Sequence, residues 1–99
     1  MAERKIIWSH RARIKLYAIL EFYAERNKNK VYSAKLYSKF NREIKLLIKH
    51  PDLGIKTQTE FVRGLIVDEY IIYYEHHQDN IIIHTIWDSR QNPDSLIVK

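Results

Sequence analysis

The chain has no cysteine among its 99 residues, only two glycines and two prolines, and no long apolar run. Without cysteine there is no disulfide framework, no thiolate zinc site and no cysteine nucleophile. That excludes the small stapled domains of oxidising compartments and makes a cytoplasmic location the expectation. Gly54 and Gly64 are the only glycines, so a Gly-rich phosphate loop, a nucleophile elbow and a Walker pattern are all missing and nucleotide hydrolysis is disfavoured. The block Ile6-Ile7-Trp8 is too short for a signal-peptide core and far below the ~20 residues of a membrane span. No membrane association is expected. Repeats, low-complexity tracts and Pro/Gly/Ser linkers are absent as well, so the whole of 1–99 reads as one domain.

What the sequence does have is charge, unevenly placed. The formal net charge is +5, but residues 1–50 hold 13 basic and 4 acidic side chains while residues 51–99 hold 4 and 8. An asymmetry of that size in one small domain points to a polyanionic or acidic partner for the first half, against the plainer alternative of a solvated helix surface.

Periodicity divides the chain at about Gly54. Lys5 to Trp8 is a β-branched and aromatic run, and Ser9 is a good N-cap before a helical pattern. Ala12, Leu16, Ile19 and Tyr23, widened by Leu20, form one apolar stripe over a helix from His10 to about Asn27. Asn27-Lys28-Asn29-Lys30 turns the chain, and a second helix between Tyr32 and Lys49 carries Tyr37, Phe40, Ile44, Leu47 and Ile48 on its apolar side. Lys35, Lys39, Arg42, Lys45 and Lys49 make a nearly continuous basic ridge on the other faces. Pro51 stops this helix and Gly54 completes a turn. The period then falls to two. Two strands around Lys56 to Leu65 and two more around Tyr70 to His76 and Ile81 to Asp88 form a meander, with His77 to Asn80 as a turn. The expected fold is α+β, with an N-terminal strand and an antiparallel helical hairpin packed on a curved antiparallel sheet of about four strands.

Four residues stand out as chemistry-bearing. Arg63 is a lone guanidinium in an apolar strand and suits a phosphate or carboxylate; its structural alternative is a pairing with Glu60, Asp68 or Glu69. Arg90 ends the last strand, either reaching a substrate or closing a turn with Asp88. His84 shares one side of a regular strand with Ile82, Ile86 and Asp88, and a continued alternation adds Arg90, which would line up an imidazole, a carboxylate and a guanidinium. Lys56 is the remaining cation at the start of the sheet half. His76 and His77 point to opposite faces of a strand, so no metal site is expected, and no cofactor either. Tyr70, Tyr73 and Tyr74 read as packing residues rather than base-stacking platforms.

Trp8-Ser9-x-x-Ala12, the stripe ending at Tyr23, Leu47 followed by His50-Pro51-x-x-Gly54, Val62-Arg63-Gly64-Leu65, Tyr70-x-Ile72-x-Tyr74 and Ile82 to Arg90-Gln91 together resemble the RelE/ParE superfamily of toxins from bacterial type II toxin–antitoxin systems. The resemblance runs from about Ile7 to Pro93. It implies the same α+β fold and a cognate antitoxin, acidic and partly disordered, through which alone the toxin would reach promoter DNA. It also implies one of two targets. RelE-like members cleave mRNA on the ribosome without metal, which here would use Arg63 and Arg90 as charge stabilisers with His84 or Lys56 moving a proton. ParE-like members inhibit DNA gyrase and are not known to be nucleases. A third reading is a degenerate member that only binds antitoxin. Cleaving members usually carry Tyr or His soon after the last-strand arginine, where this chain has Gln91-Asn92-Pro93.

Overall fold

Ser9 is where the first strand becomes the first helix. Its Oγ accepts the Ala12 N–H at 3.0 Å, capping the helix, and donates to the His84 carbonyl at 2.8 Å, so one hydroxyl ties the helix start to the sheet. A computed structural model of the chain describes residues 4–90. In order these form β1 (Lys5–Trp8), α1 (His10–Asn27), α2 (Val31–Lys49), β2 (Ile55–Lys56), β3 (Val62–Val67), β4 (Tyr70–His76) and β5 (Asn80–Asp88). Helix α1 ends on Lys28 in the left-handed region, at φ 59°, and the Asn29 carboxamide accepts the Val31 N–H at 3.0 Å to start α2. Ser33, buried between the helices, donates to the Leu20 carbonyl at 2.6 Å.

The sheet has five strands in the order β1-β5-β4-β3-β2; β1 runs parallel to β5 and the other pairs are antiparallel. The parallel pair follows from the connection, because the chain leaves β1, makes the helical hairpin and three further strands, and returns beside its start. Both helices cover one face. Ala12 and Leu16 of α1 and Leu36, Phe40, Ile44 and Leu47 of α2 meet Leu65, Val67, Tyr70, Ile72, Tyr74, Ile81, Ile83 and Ile86 in one core. Tyr37, expected on the apolar stripe, is 47% exposed, and Leu36 takes the core position one residue earlier. Of the two strands expected around Lys56 to Leu65, the first shortens to Ile55–Lys56 and the second is Val62–Val67. Beyond the first the Thr57 hydroxyl shares its one proton between the carbonyls of Thr59 and Val62 and accepts the Thr59 N–H, giving that backbone a local alternative to sheet pairing.

Strand β5 is not regular. Tyr73 pairs with Thr85 and Tyr74 with Ile83, so His84 is an extra residue in the ladder. Ile81 and Ile83 face the helices before this bulge and Ile86 does so after it, a switch from odd to even positions. His84 therefore lies on the sheet face away from the helices, while Asp88 falls on the helix side opposite Tyr70. The row of His84, Asp88 and Arg90 expected for a regular strand does not form.

Replacing Ser9 by Ala removes the cap and the bond to β5 together. Urea denaturation is expected to show a loss of about 1–2 kcal/mol for Ser9→Ala, with Ser9→Thr retaining most of it.

Candidate functional site

The sequence-selected side chains fall into three separate places. Arg63 pairs directly across the ladder with Lys56 on one side and Tyr74 on the other, at the end of the sheet beside the α2–β2 loop. Its guanidinium donates to the Gly54 carbonyl at 2.8 Å and lies 3.7 Å from the Asp52 carboxylate. Tyr74, fully buried, reaches the same loop: its hydroxyl donates to the Pro51 carbonyl at 2.6 Å and accepts the Gly54 N–H at 2.9 Å. A side chain at Gly54 would place its Cβ 2.7 Å from the Tyr74 ring and 2.9 Å from the Gly64 carbonyl, so only glycine fits this close approach. Burial pushes the Tyr74 hydroxyl above its ordinary pKa, against the opposing pull of the Gly54 N–H, which keeps it a phenol able to donate. Arg63 thus holds a loop, through partners other than Glu60, Asp68 or Glu69. Lys56 is exposed and has no ion pair among the described residues.

Arg90 sits at the opposite end. Its Nε and Nη2 grip Asp88 at 2.9 and 2.8 Å, its backbone N–H adds a third bond to that carboxylate, and Nη1 meets Glu69 at 3.0 Å. Hydrogen bonds from Arg90 hold the Asp88 carboxyl below its usual range, and the same bonds, with Tyr23 adding to them, raise Arg90 further. Behind the pair is an open cavity of about 330 Å³ whose walls include Lys15, Phe22, Tyr23, Tyr70 and Ile86. The Tyr70 hydroxyl donates to Tyr23 at 3.2 Å. Tyr74, Arg63's cross-strand partner, lies four residues along β4 from Tyr70, the partner of Asp88. At ~3.3 Å per residue the two arginine sites are roughly 13 Å or more apart, and they do not converge on one phosphate.

On the outer sheet face, His84 Nε2 meets Glu75 Oε2 at 2.9 Å and His77 Nε2 meets Glu75 Oε1 at 2.7 Å, so one carboxylate bridges two imidazoles. The His84 hydrogen bond, opposed by burial and reinforced by His77, lowers the Glu75 pKa. Glu75 escaped sequence reasoning because its pairing with His84 depends on the β4–β5 register, which sets Glu75 opposite Ile82 on His84's side of β5; the alternation of Ile71, Tyr73 and Glu75 on one face was the available sign. His76 turns the other way, to Asp52 at 3.7 Å. Among the described residues no cluster of three or more His, Cys, Asp or Glu side chains has metal-holding geometry, and no helix is long and apolar enough to cross a membrane.

The fold, a helical hairpin on one face of the sheet, is shared with chains from two solved toxin-antitoxin structures. The chromosomal ParDE toxin-antitoxin system from P. aeruginosa superposes with a TM-score of 0.72 at 18% identity, over 85% of this chain and 94% of that one. The E. coli DinJ-YafQ toxin-antitoxin complex does so with a TM-score of 0.58 at 12% identity, over 90% and 96%. No curated protein matches by sequence. Residues 6–93 match the family model of the ParE toxin of type II toxin-antitoxin systems, parDE, and the chain belongs to that family. Residues 91–93, where the sequence lacks the aromatic or histidine of cleaving members, lie outside the described residues.

Two outcomes follow from this geometry. Tyr74→Phe leaves the Gly54 N–H and Pro51 carbonyl without their partner and is expected to lower unfolding free energy by about 1–3 kcal/mol in urea titrations. For Glu75, a pKa depressed in the folded state means a stabilisation present above its ordinary 4.5 and lost as pH falls through the lower folded value. The stability advantage of wild type over Glu75→Gln, followed by thermal melts from pH 7 to 3, is therefore expected to shrink below pH 4.5.

Proposed function

We propose that this chain is the growth-inhibiting toxin of a type II toxin–antitoxin pair, that it acts by binding DNA gyrase rather than by cutting mRNA, and that an acidic antitoxin neutralises it. The observation that carries this reading is the dispersal of Arg63, Lys56, His84 and Arg90 over two sheet faces and two ends. Metal-independent transesterification needs a proton acceptor, a charge stabiliser and a proton donor around one phosphate. Here Arg63 is occupied by a loop carbonyl, Arg90 by two carboxylates and His84 by Glu75. Membership in the ParE family supports the same side of the choice.

The antitoxin reading rests on the outer side of the hairpin. Tyr17, Leu20 and Ala24 of α1 and Ala34 and Tyr37 of α2 line a groove of about 550 Å³, with Tyr17 63% exposed. Such a groove, whose charged walls are Glu21 and Lys30, suits the apolar stripe of a partner helix, and the basic excess of the first half of the chain favours an acidic one.

The test sets purified protein in a gyrase supercoiling assay beside primer extension on mRNA from induced cells. Loss of supercoiling with intact transcripts is the expected result. Codon-aligned cuts that vanish in His84→Ala or Lys56→Ala would reverse the reading in favour of the ribosome. Expression without growth arrest would leave a chain that only binds antitoxin.

A further inference from the structure

The solvent side of α2 carries a feature that neither the loop latch nor the apolar groove uses. Lys35, Lys39, Arg42, Lys45 and Lys49 lie opposite the buried stripe of Leu36, Phe40, Ile44 and Leu47. At 1.5 Å rise per residue they extend over about 21 Å of one rigid helix. Among the described residues only Lys39 has an ion pair, with Asp68 at 2.5 Å; the other four cations have none. The one carboxylate of α2, Glu43, makes no ion pair with them.

We infer that this ridge is a sequence-independent binding surface for the phosphate backbone of duplex DNA. Protein interfaces are depleted of lysine and built round an apolar centre, whereas backbone contacts to nucleic acid are made by aligned lysines and arginines. The ridge is of the second kind, four lysines and one arginine. Single strands are recognised by aromatic stacking beside the charges, whereas of the three aromatic residues of α2 Phe40 is buried, Tyr37 lines the interhelical groove and Tyr32 packs edge-on against Tyr23 at the start of the ridge. A straight, rigid row instead matches the fixed phosphate spacing of a duplex. The surface extends the gyrase reading, since that enzyme holds duplex DNA, but it is measurable without gyrase.

Fluorescence anisotropy of a labelled 20-base-pair DNA duplex, titrated with the full chain between 50 and 200 mM KCl, tests it. Four phosphates neutralised at ~0.9 each give an expected log–log salt slope of about −3.5. The variant Lys35→Gln/Arg42→Gln/Lys45→Gln/Lys49→Gln is expected to bind at least tenfold more weakly with a shallower slope. The charge-preserving Lys35→Arg/Lys45→Arg/Lys49→Arg chain is expected to bind as wild type does. Arg11→Gln/Arg13→Gln/Arg26→Gln/Lys28→Gln, an equal charge loss from α1 and its turn, is expected to keep the greater part of the affinity. Equal loss in both quadruple variants, no binding at 50 mM KCl, or preference for single-stranded DNA or duplex RNA each overturns the proposal. Supercoiling inhibition measured on the same variants separates the two readings: if it persists while DNA binding is absent, the ridge assignment fails and the gyrase target stands.

Discussion

One inserted residue in β5 decides how the two faces of the sheet are used. A strand alternates its side chains, so an extra position reverses the assignment of every residue that follows. Ile81 and Ile83 contribute to the core before His84, and Ile86 contributes after it. The reversal keeps an isoleucine on the helix side along the strand and carries Asp88 to that side, where it can hold Arg90 beside Tyr23 and Tyr70. The inserted imidazole itself is delivered to the outer face, where Glu75 receives it. β5 also borders both β1 and β4. The bulge therefore falls in an interior strand, and its hydrogen-bonding deficit is met locally: the His84 carbonyl, left by the ladder, accepts the Ser9 hydroxyl.

The second constraint is the descent from α2 into the sheet. Pro51 ends the helix, and the carbonyls it leaves near the core need donors. Tyr74 and Arg63, cross-strand partners on one face, supply them. Using a phenol from the core and a guanidinium from its margin fixes the loop from two strands at once, which is why glycine at 54 is packed between a ring and a backbone carbonyl. An arginine so used is half-buried by its own fold, and holding the loop gives it a structural reason to stand in an apolar strand.

Much of this architecture was legible in the chain itself. Ser9 as a cap, the stripe from Ala12 to Tyr23, the break at Pro51 and the strands at Tyr70 and Ile81 all express local periodicity or capping chemistry. The site was less so. Arg63, His84 and Arg90 were identifiable as unusual in their surroundings, but whether they converge depends on ladder register and on a bulge between Tyr73 and Tyr74. No local pattern encodes either. Tyr37 illustrates the same limit on a helix: its spacing from Phe40 and Ile44 satisfies the stripe, yet Leu36 fits the core and the tyrosine is left beside the interhelical groove.

The distribution of charge acquires a physical meaning once the pairs are known. In the second half of the chain five of the seven described carboxylates are engaged: Asp52 with Arg63 and His76, Asp68 with Lys39 of α2, Glu69 and Asp88 with Arg90, and Glu75 with His77 and His84. Arg63 and Arg90, two of the few cations of the sheet half, are spent on that pairing, so this half has little positive field to offer an anionic partner. The helical hairpin lacks such partners, and among the described residues Lys39 alone of its cations is in an ion pair. A field from unpaired charges on a rigid helix reaches about a Debye length, ~8 Å at physiological salt, whereas a neutralised pair acts only at contact. Long-range attraction in this molecule therefore originates from the hairpin, and the polar residues of the sheet are left to fix the shape that the hairpin rests on.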